Sequence, residues 1–226
     1  MANEINVWAG TTNAYATAGN WTLHVPLITE NVIIPKDSTQ AIAGSDQDAV
    51  ALSSFTEEYG YSSTIGSRAV PLLLQATAAT LAGTGAKYIG GTLTTLTLAN
   101  GQNTNIIDET VVTTLNVISG TPNYRGANLT TATVLGGTLT YGESGKATTT
   151  VATLNIRDSA RCVYNSSGTV TACNLDGILD LSGDARAVTI TTLTVGPDAQ
   201  IIDPNKRLTI TNAVVLAQGV KGWQWN

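Results

Sequence analysis

Thr94-Thr95-Leu96-Thr97-Leu98, Thr113-Thr114-Leu115-Asn116-Val117, Ala152-Thr153-Leu154-Asn155-Ile156, Thr171-Ala172-Cys173-Asn174-Leu175 and Thr191-Thr192-Leu193-Thr194-Val195 render one pattern five times. The same frame recurs in weaker form at Val134 and Ala213, so a central column runs Leu96, Leu115, Val134, Leu154, Cys173, Leu193 and Ala213. Three residues earlier runs Leu93, Val112, Thr131, Val151, Val170, Ile190 and Ile210. Two residues later runs Leu98, Val117, Gly136, Ile156, Leu175, Val195 and Val215. Three columns in step over seven copies define a repeat architecture.

Within each copy apolar and polar residues alternate, and breaks such as Asn100-Gly101, Ser119-Gly120, Asp176-Gly177 and Gly196-Pro197 separate the runs. A helical repeat needs an apolar face at three- and four-residue spacing over ten or more residues, which these Thr- and Gly-rich segments lack. The expected fold is therefore all-β, a single-stranded parallel β-helix with coils of about 19–20 residues, taken as right-handed. Column residues then stack at roughly 4.8 Å per coil around a narrow core. Small Thr, Val, Leu and Cys suit such a core, and bulky aromatics are expected outside it. Trp8 and Trp21 lie near one end of the chain and Trp223 and Trp225 at the other, where they either cap the open ends of the stack or anchor the tails of the chain. Arg157 and Asp176, like Arg161 and Asp180, stand 19 residues apart and are expected to stack as ion pairs on successive coils.

Composition agrees with this class. The 226 residues (23.4 kDa) are 42% hydrophobic, only 12% charged and 5% aromatic, with a mean hydropathy of +0.11. About one residue in six is Thr, whose branched side chain fits pleated strands. That content supplies a core and excludes disorder. A net charge of −5 with 11 scattered Lys and Arg gives no electrostatic footprint for nucleic acid. No apolar stretch approaches the roughly 20 residues of a membrane helix, and the first residues lack the pattern of a signal peptide, so synthesis in a cytoplasm is expected. The chain reads as one domain: residues 1–48 an N-terminal arm and cap, 49–216 the coils, 217–226 a C-terminal cap. In the arm, Val32-Ile33-Ile34-Pro35 reads as a buried strand closed by proline. Val50 and Leu52 are expected to align with Leu72 and Leu74, 22 residues on.

Trp8-Ala9-Gly10, then Gly19-Asn20-Trp21, Val25-Pro26 and Asn31-Val32-Ile33-Ile34, then Gly60-Tyr61-Ser62-Ser63-Thr64-Ile65-Gly66 resemble the opening of β-helical proteins of tailed bacteriophages. The resemblance covers residues 8–66 by motif and the rest by architecture. It implies a capsid decoration, or cement, protein on the exterior of the virion, stabilising the head as a homotrimer bound to the phage major capsid protein. It carries over no catalytic residue, and related β-helices also occur in tail fibres and spikes that bind host surface glycans. The candidate docking residues are those of the aromatic-bearing irregular segments, Trp8, Tyr59, Tyr61 and Ile65, with packing of both segments against the first coil as the equal alternative.

Chemistry-bearing residues are few. The single histidine, His24, lies in an expected strand with no Cys, Asp or Glu at ligand spacing and reads as structural. Gly142-Glu143-Ser144-Gly145-Lys146 lacks the spacing of a phosphate-binding loop and reads as a turn. Glycan-cleaving β-helices place carboxylate pairs along one face, for which Asp158, Asp176, Asp180 and Asp184, with Arg161, are the candidates. Tyr124, Tyr141 and Tyr164, 17 and 23 residues apart, are the only aromatic platforms in the repeat. Cys162 and Cys173 read as buried thiols, with a disulfide as the alternative if the particle matures outside the cell. The expectation is a structural protein without enzymatic activity, cofactor or metal.

Overall fold

The computed structural model describes residues 4–100, 104–106, 110–146, 148–212 and 215–216. The chain coils as a β-solenoid of about nine turns, and every strand-to-strand ladder in it is parallel. The one helical element among the described residues is a 3-10 turn, Ala18–Asn20. From Lys87 on, each coil contributes a long segment and a short one. The long segments stack as Asn31–Ile34, Asp46–Glu57, Leu72–Leu81, Lys87–Leu98, Val111–Val117, Leu129–Val134, Val151–Ile156, Val170–Leu175 and Val188–Val195. The short ones stack as Thr104–Ile106, Asn123–Tyr124, Thr138–Tyr141, Arg161–Tyr164, Ile178–Asp180 and Gln200–Ile202. Strand Ile5–Val7 already pairs with Asn31–Ile34, so the first rungs lie within the N-terminal arm. Residues 217–226, with Trp223 and Trp225, lie outside the described residues.

Period-two alternation builds the core. Leu96, Leu115, Ala132, Leu154, Cys173 and Leu193 face inward in register, as do Leu98, Val117, Val134, Ile156, Leu175 and Val195. All are buried, and removing such surface from water is the main stabilisation of the stack. Where rungs approach closely only glycine fits: Gly91 has φ +98°, and a Cβ there would lie 2.1 Å from the Leu74 carbonyl oxygen.

The register departs from a constant spacing at three places. The central column takes Ala132, not Val134, which sits one inward position further on. Successive coils here are 17 and 22 residues long, because the turn after Val117 is short and the loop before Val151 is long. At the C-terminal end Leu216, not Val215, pairs with Val195. Leu52 aligns with Ala76, and Leu74 with Gln47, because an irregularity between Gln47 and Ala51 absorbs the difference.

The expectation that aromatics stay outside the solenoid is overturned. Tyr124, Tyr141 and Tyr164 fill inward positions of three successive short strands and stack, with ring centroids 5.6 and 5.0 Å apart and planes within 15°. Phe55 and Tyr61 are also buried. The rung spacing of a solenoid matches an offset ring stack, so aromatics enter by stacking along the axis. A buried ion pair lies in the earlier coils: Glu57 occupies the inward column between Ile34 and Leu81, and Lys87, which opens the next strand, meets it beside the turn at residues 83–85.

At the N-terminal end Trp8 and Trp21 pack edge to face, centroids 5.0 Å apart, with Tyr15 against Trp21 at 4.8 Å. The Trp21 indole N–H donates to the Tyr15 carbonyl at 2.7 Å. Of the two ion pairs expected between coils, Arg161–Asp180 forms, as a diagonal contact in which Arg161 is in register with Ile178. Among the described residues no Arg157–Asp176 ion pair forms.

Candidate interaction surface

The outward positions of the long segments form two straight columns. One runs Thr95, Thr114, Thr131, Thr153, Ala172 and Thr192, the other Thr97, Asn116, Thr133, Asn155, Asn174 and Thr194. None of these side chains is charged, on a chain of net charge −5. The carboxamides link coils along the axis: Asn155 Nδ2 donates to Thr133 Oγ1 at 3.2 Å, and Asn174 Nδ2 to Asn155 Oδ1 at 2.8 Å. Beside the second column, Ile118 and Leu135 follow Val117 and Val134 on adjacent coils and stay nearly half exposed, and Arg157 and Asp176 take the same place on the next two coils. The result is a ladder-regular, uncharged strip whose edge is aliphatic at Ile118 and Leu135 and charged at Arg157 and Asp176.

The residues expected to dock a partner are placed otherwise. Trp8, Tyr61 and Ile65 are core residues, 1%, 0% and 0% exposed, and only Tyr59, at 74%, presents a side chain to solvent. Tyr61 is held inward by its hydroxyl, which donates to the Gln40 carbonyl at 2.7 Å, and Ile65 by bridges to Ile42 and Lys87. Packing against the coils, the alternative open in the sequence, has a simple cause: this loop contributes a rung of its own, so its apolar groups complete the interior. Beside it a shallow cleft of about 410 Å³ is lined by Asn13, Ile42, Gly44, Thr64, Gly66 and Val70.

Two of the candidate carboxylates are held by arginines, Asp180 by Arg161 and Asp184 by Arg186. Burial alone would raise the Asp180 pKa, but Arg161 and Ser182 hold it below the usual carboxylate range. Asp184 is pulled well below that range by Arg186, which reaches Oδ2 at 2.6 Å. The tyrosines weighed as sugar platforms are interior, and burial pushes their hydroxyls up. Both cysteines are free and buried; desolvation pushes the Cys173 thiol up to about 12 and Cys162 higher still.

One cluster escaped the sequence reading. His24 lies in a bend-rich excursion and not in a strand, and the fold brings Glu4 and Glu30 to it. Their ligand-capable atoms all lie within 4.8 Å of one another, and His24 Nε2 is 2.8 Å from Glu30 Oε1. The offsets of 20 and six residues carry no spacing signal. The available clue is positional: Glu4 and Glu30 each directly precede a strand of the first two rungs.

No helix among the described residues is long and apolar enough to cross a membrane. No protein-family model matches the chain, and neither a curated protein nor a solved structure does.

Proposed function

We propose that the protein is a structural component of a tailed-phage particle that decorates and stabilises the capsid exterior as a homotrimer bound to the major capsid protein. The observation that carries the reading is the uncharged Thr/Asn strip with its Ile118–Leu135 edge. Copies of an acidic chain repel, and a charge-free strip is where they approach without opposing like charges. The resemblance of residues 8–66 to phage decoration proteins supplies the setting. A solenoid whose coils each hydrogen-bond to both neighbours is a stiff element, and three of them on one axis engage several capsid subunits at once.

Light scattering tests the first half, with a solution mass near three times 23.4 kDa expected and a mass that falls towards one chain when Thr133→Arg and Thr153→Arg are introduced on the strip. Co-sedimentation with undecorated heads tests the second half. Absence of stoichiometric attachment under conditions where the protein is folded overturns the capsid reading.

A second reading has one observation in its favour. Columns of hydroxyls and carboxamides also suit a glycan, as on a tail fibre or spike that binds a host surface. Binding to intact host cells, abolished by the same Arg substitutions, would favour it; release of reducing ends from host polysaccharide would point instead to glycan cleavage.

A further inference from the structure

We infer that Glu4, His24 and Glu30 form a binding site for a divalent cation of the zinc class, which clasps the N-terminal cap of the solenoid. The three ligands come from three separate segments. Glu4 immediately precedes strand Ile5–Val7, Glu30 immediately precedes Asn31–Ile34, and His24 lies on the excursion between them. The Asn31 N–H donates to the Glu4 carbonyl at 2.8 Å, which fixes the two acidic residues side by side on neighbouring rungs. Two carboxylates so placed repel each other, and a dication between them reverses the sign of that interaction.

Glu30 is positioned as a ligand. Its side chain is only 7% exposed, and Oε2 accepts from Asn6 Nδ2 at 3.2 Å and from the Leu27 N–H at 3.0 Å. Oε1 is thereby left to face His24 Nε2. Asn6, fully buried, also donates to the His24 carbonyl at 2.6 Å. One interior carboxamide therefore orients both the carboxylate and the backbone that carries the imidazole, which is the outer-sphere support metal ligands characteristically have.

The dimensions and donor set select the ion. Bonds of about 2.0–2.2 Å to nitrogen and carboxylate oxygen in a tetrahedron put ligand atoms roughly 3.4 Å apart. The Nε2–Oε1 distance of 2.8 Å must open by about half an ångström, which His24 accommodates because its side chain is 38% exposed. One imidazole with two carboxylates suits zinc and its neighbours, with water in the fourth position, whereas calcium takes six to eight oxygens and magnesium keeps most of its waters. Cys162 and Cys173 are buried and free, so they do not compete.

The test uses the full chain without an affinity tag. Titration with Co²⁺ is expected to give a visible absorption band that saturates at one ion per chain, disappears on adding one equivalent of Zn²⁺ and persists in millimolar Ca²⁺ or Mg²⁺. His24→Ala removes only a half-exposed side chain and should abolish the band while leaving the far-ultraviolet circular dichroism unchanged; Glu30→Gln should do the same if its contact to Leu27 is kept. Zn²⁺ should raise the unfolding temperature of the unmodified chain and not that of His24→Ala. No band in the unmodified chain, or an unchanged band in His24→Ala, overturns the assignment.

Discussion

The Lys87 ammonium and the Glu57 carboxylate face each other inside the solenoid at 3.5 Å, with neither side chain exposed. Lys87 Nζ also donates to the Gly83 and Gly85 carbonyls at 2.7 and 2.8 Å, and the Gly83 N–H donates to Glu57 Oε2 at 2.9 Å. Desolvation raises the Glu57 pKa and lowers that of Lys87, and each partner opposes the shift of the other. Removing one partner strands an uncompensated charge in an apolar column. Glu57→Leu or Lys87→Met alone should cost about 3–5 kcal/mol, while the double substitution should cost far less than their sum. A double-mutant cycle by chemical denaturation measures this, and additive losses would show that the groups do not act as a pair.

The tyrosine stack makes a second prediction. Tyr141 lies between Tyr124 and Tyr164 and donates its hydroxyl to the Thr150 carbonyl at 3.0 Å. Tyr141→Phe should keep the stack and cost about 1 kcal/mol. Tyr141→Ala opens a cavity between two rings and should cost about 3–5 kcal/mol. Near-ultraviolet circular dichroism separates the cases, since only the alanine variant should lose the tyrosine signal. Because the folded state favours the neutral phenols, the stability they give is fully present below about pH 10 and declines as pH rises from there towards their folded values.

Asp184 sets an acid limit. With its folded pKa depressed by Arg186, it stabilises the protein above its unfolded value near 4, and that contribution is lost as pH falls from there towards the folded value. Asp184→Asn should lower stability by about 2 kcal/mol at pH 7, the scale of a hydrogen bond to a charged group. The gap between its denaturation midpoint and that of the unmodified chain should narrow steadily as pH falls below about 4; a gap that stays constant with pH would refute the assignment.

Thiol reactivity supplies a fourth check. Cys173 occupies the column between Leu154 and Leu193, and Cys162 stands between Leu139 and Leu179. A disulfide-exchange reagent should find no reactive thiol in the folded protein and two after unfolding, because both buried thiols stay protonated. Rapid native-state labelling would mean that the coils open locally.

Inward residues such as Leu96, Leu154 and Leu193 could be read from the chain because alternation along a strand and near-constant coil length reinforce each other. Ala132 was misplaced because a short turn and a long loop on either side of it cancel, leaving the total over two coils almost unchanged. The better signal was Leu129-Thr130-Thr131-Ala132-Thr133-Val134, which repeats the pattern of residues 93–98 two positions earlier than uniform spacing suggests. Tyr141 and Tyr164 each stand two residues after an inward Leu139 or Cys162, so alternation marked them as interior; a rule about ring size masked it. Tyr61 and Ile65 read as surface groups because the turn-rich residues around them hide a rung. The Glu4–His24–Glu30 cluster forms across neighbouring rungs and an excursion, and such closure has no counterpart in linear spacing.

Because each rung pairs only with the rung before and the rung after it, the molecule's length is a countable quantity. Excising one whole coil, such as the 19 residues that carry the chain from Leu154 to Cys173, would bring equivalent inward columns back into register without rethreading any other part. Its reach is therefore adjustable in increments of about 4.8 Å per coil, a graduated ruler whose scale lengthens or shortens by whole coils.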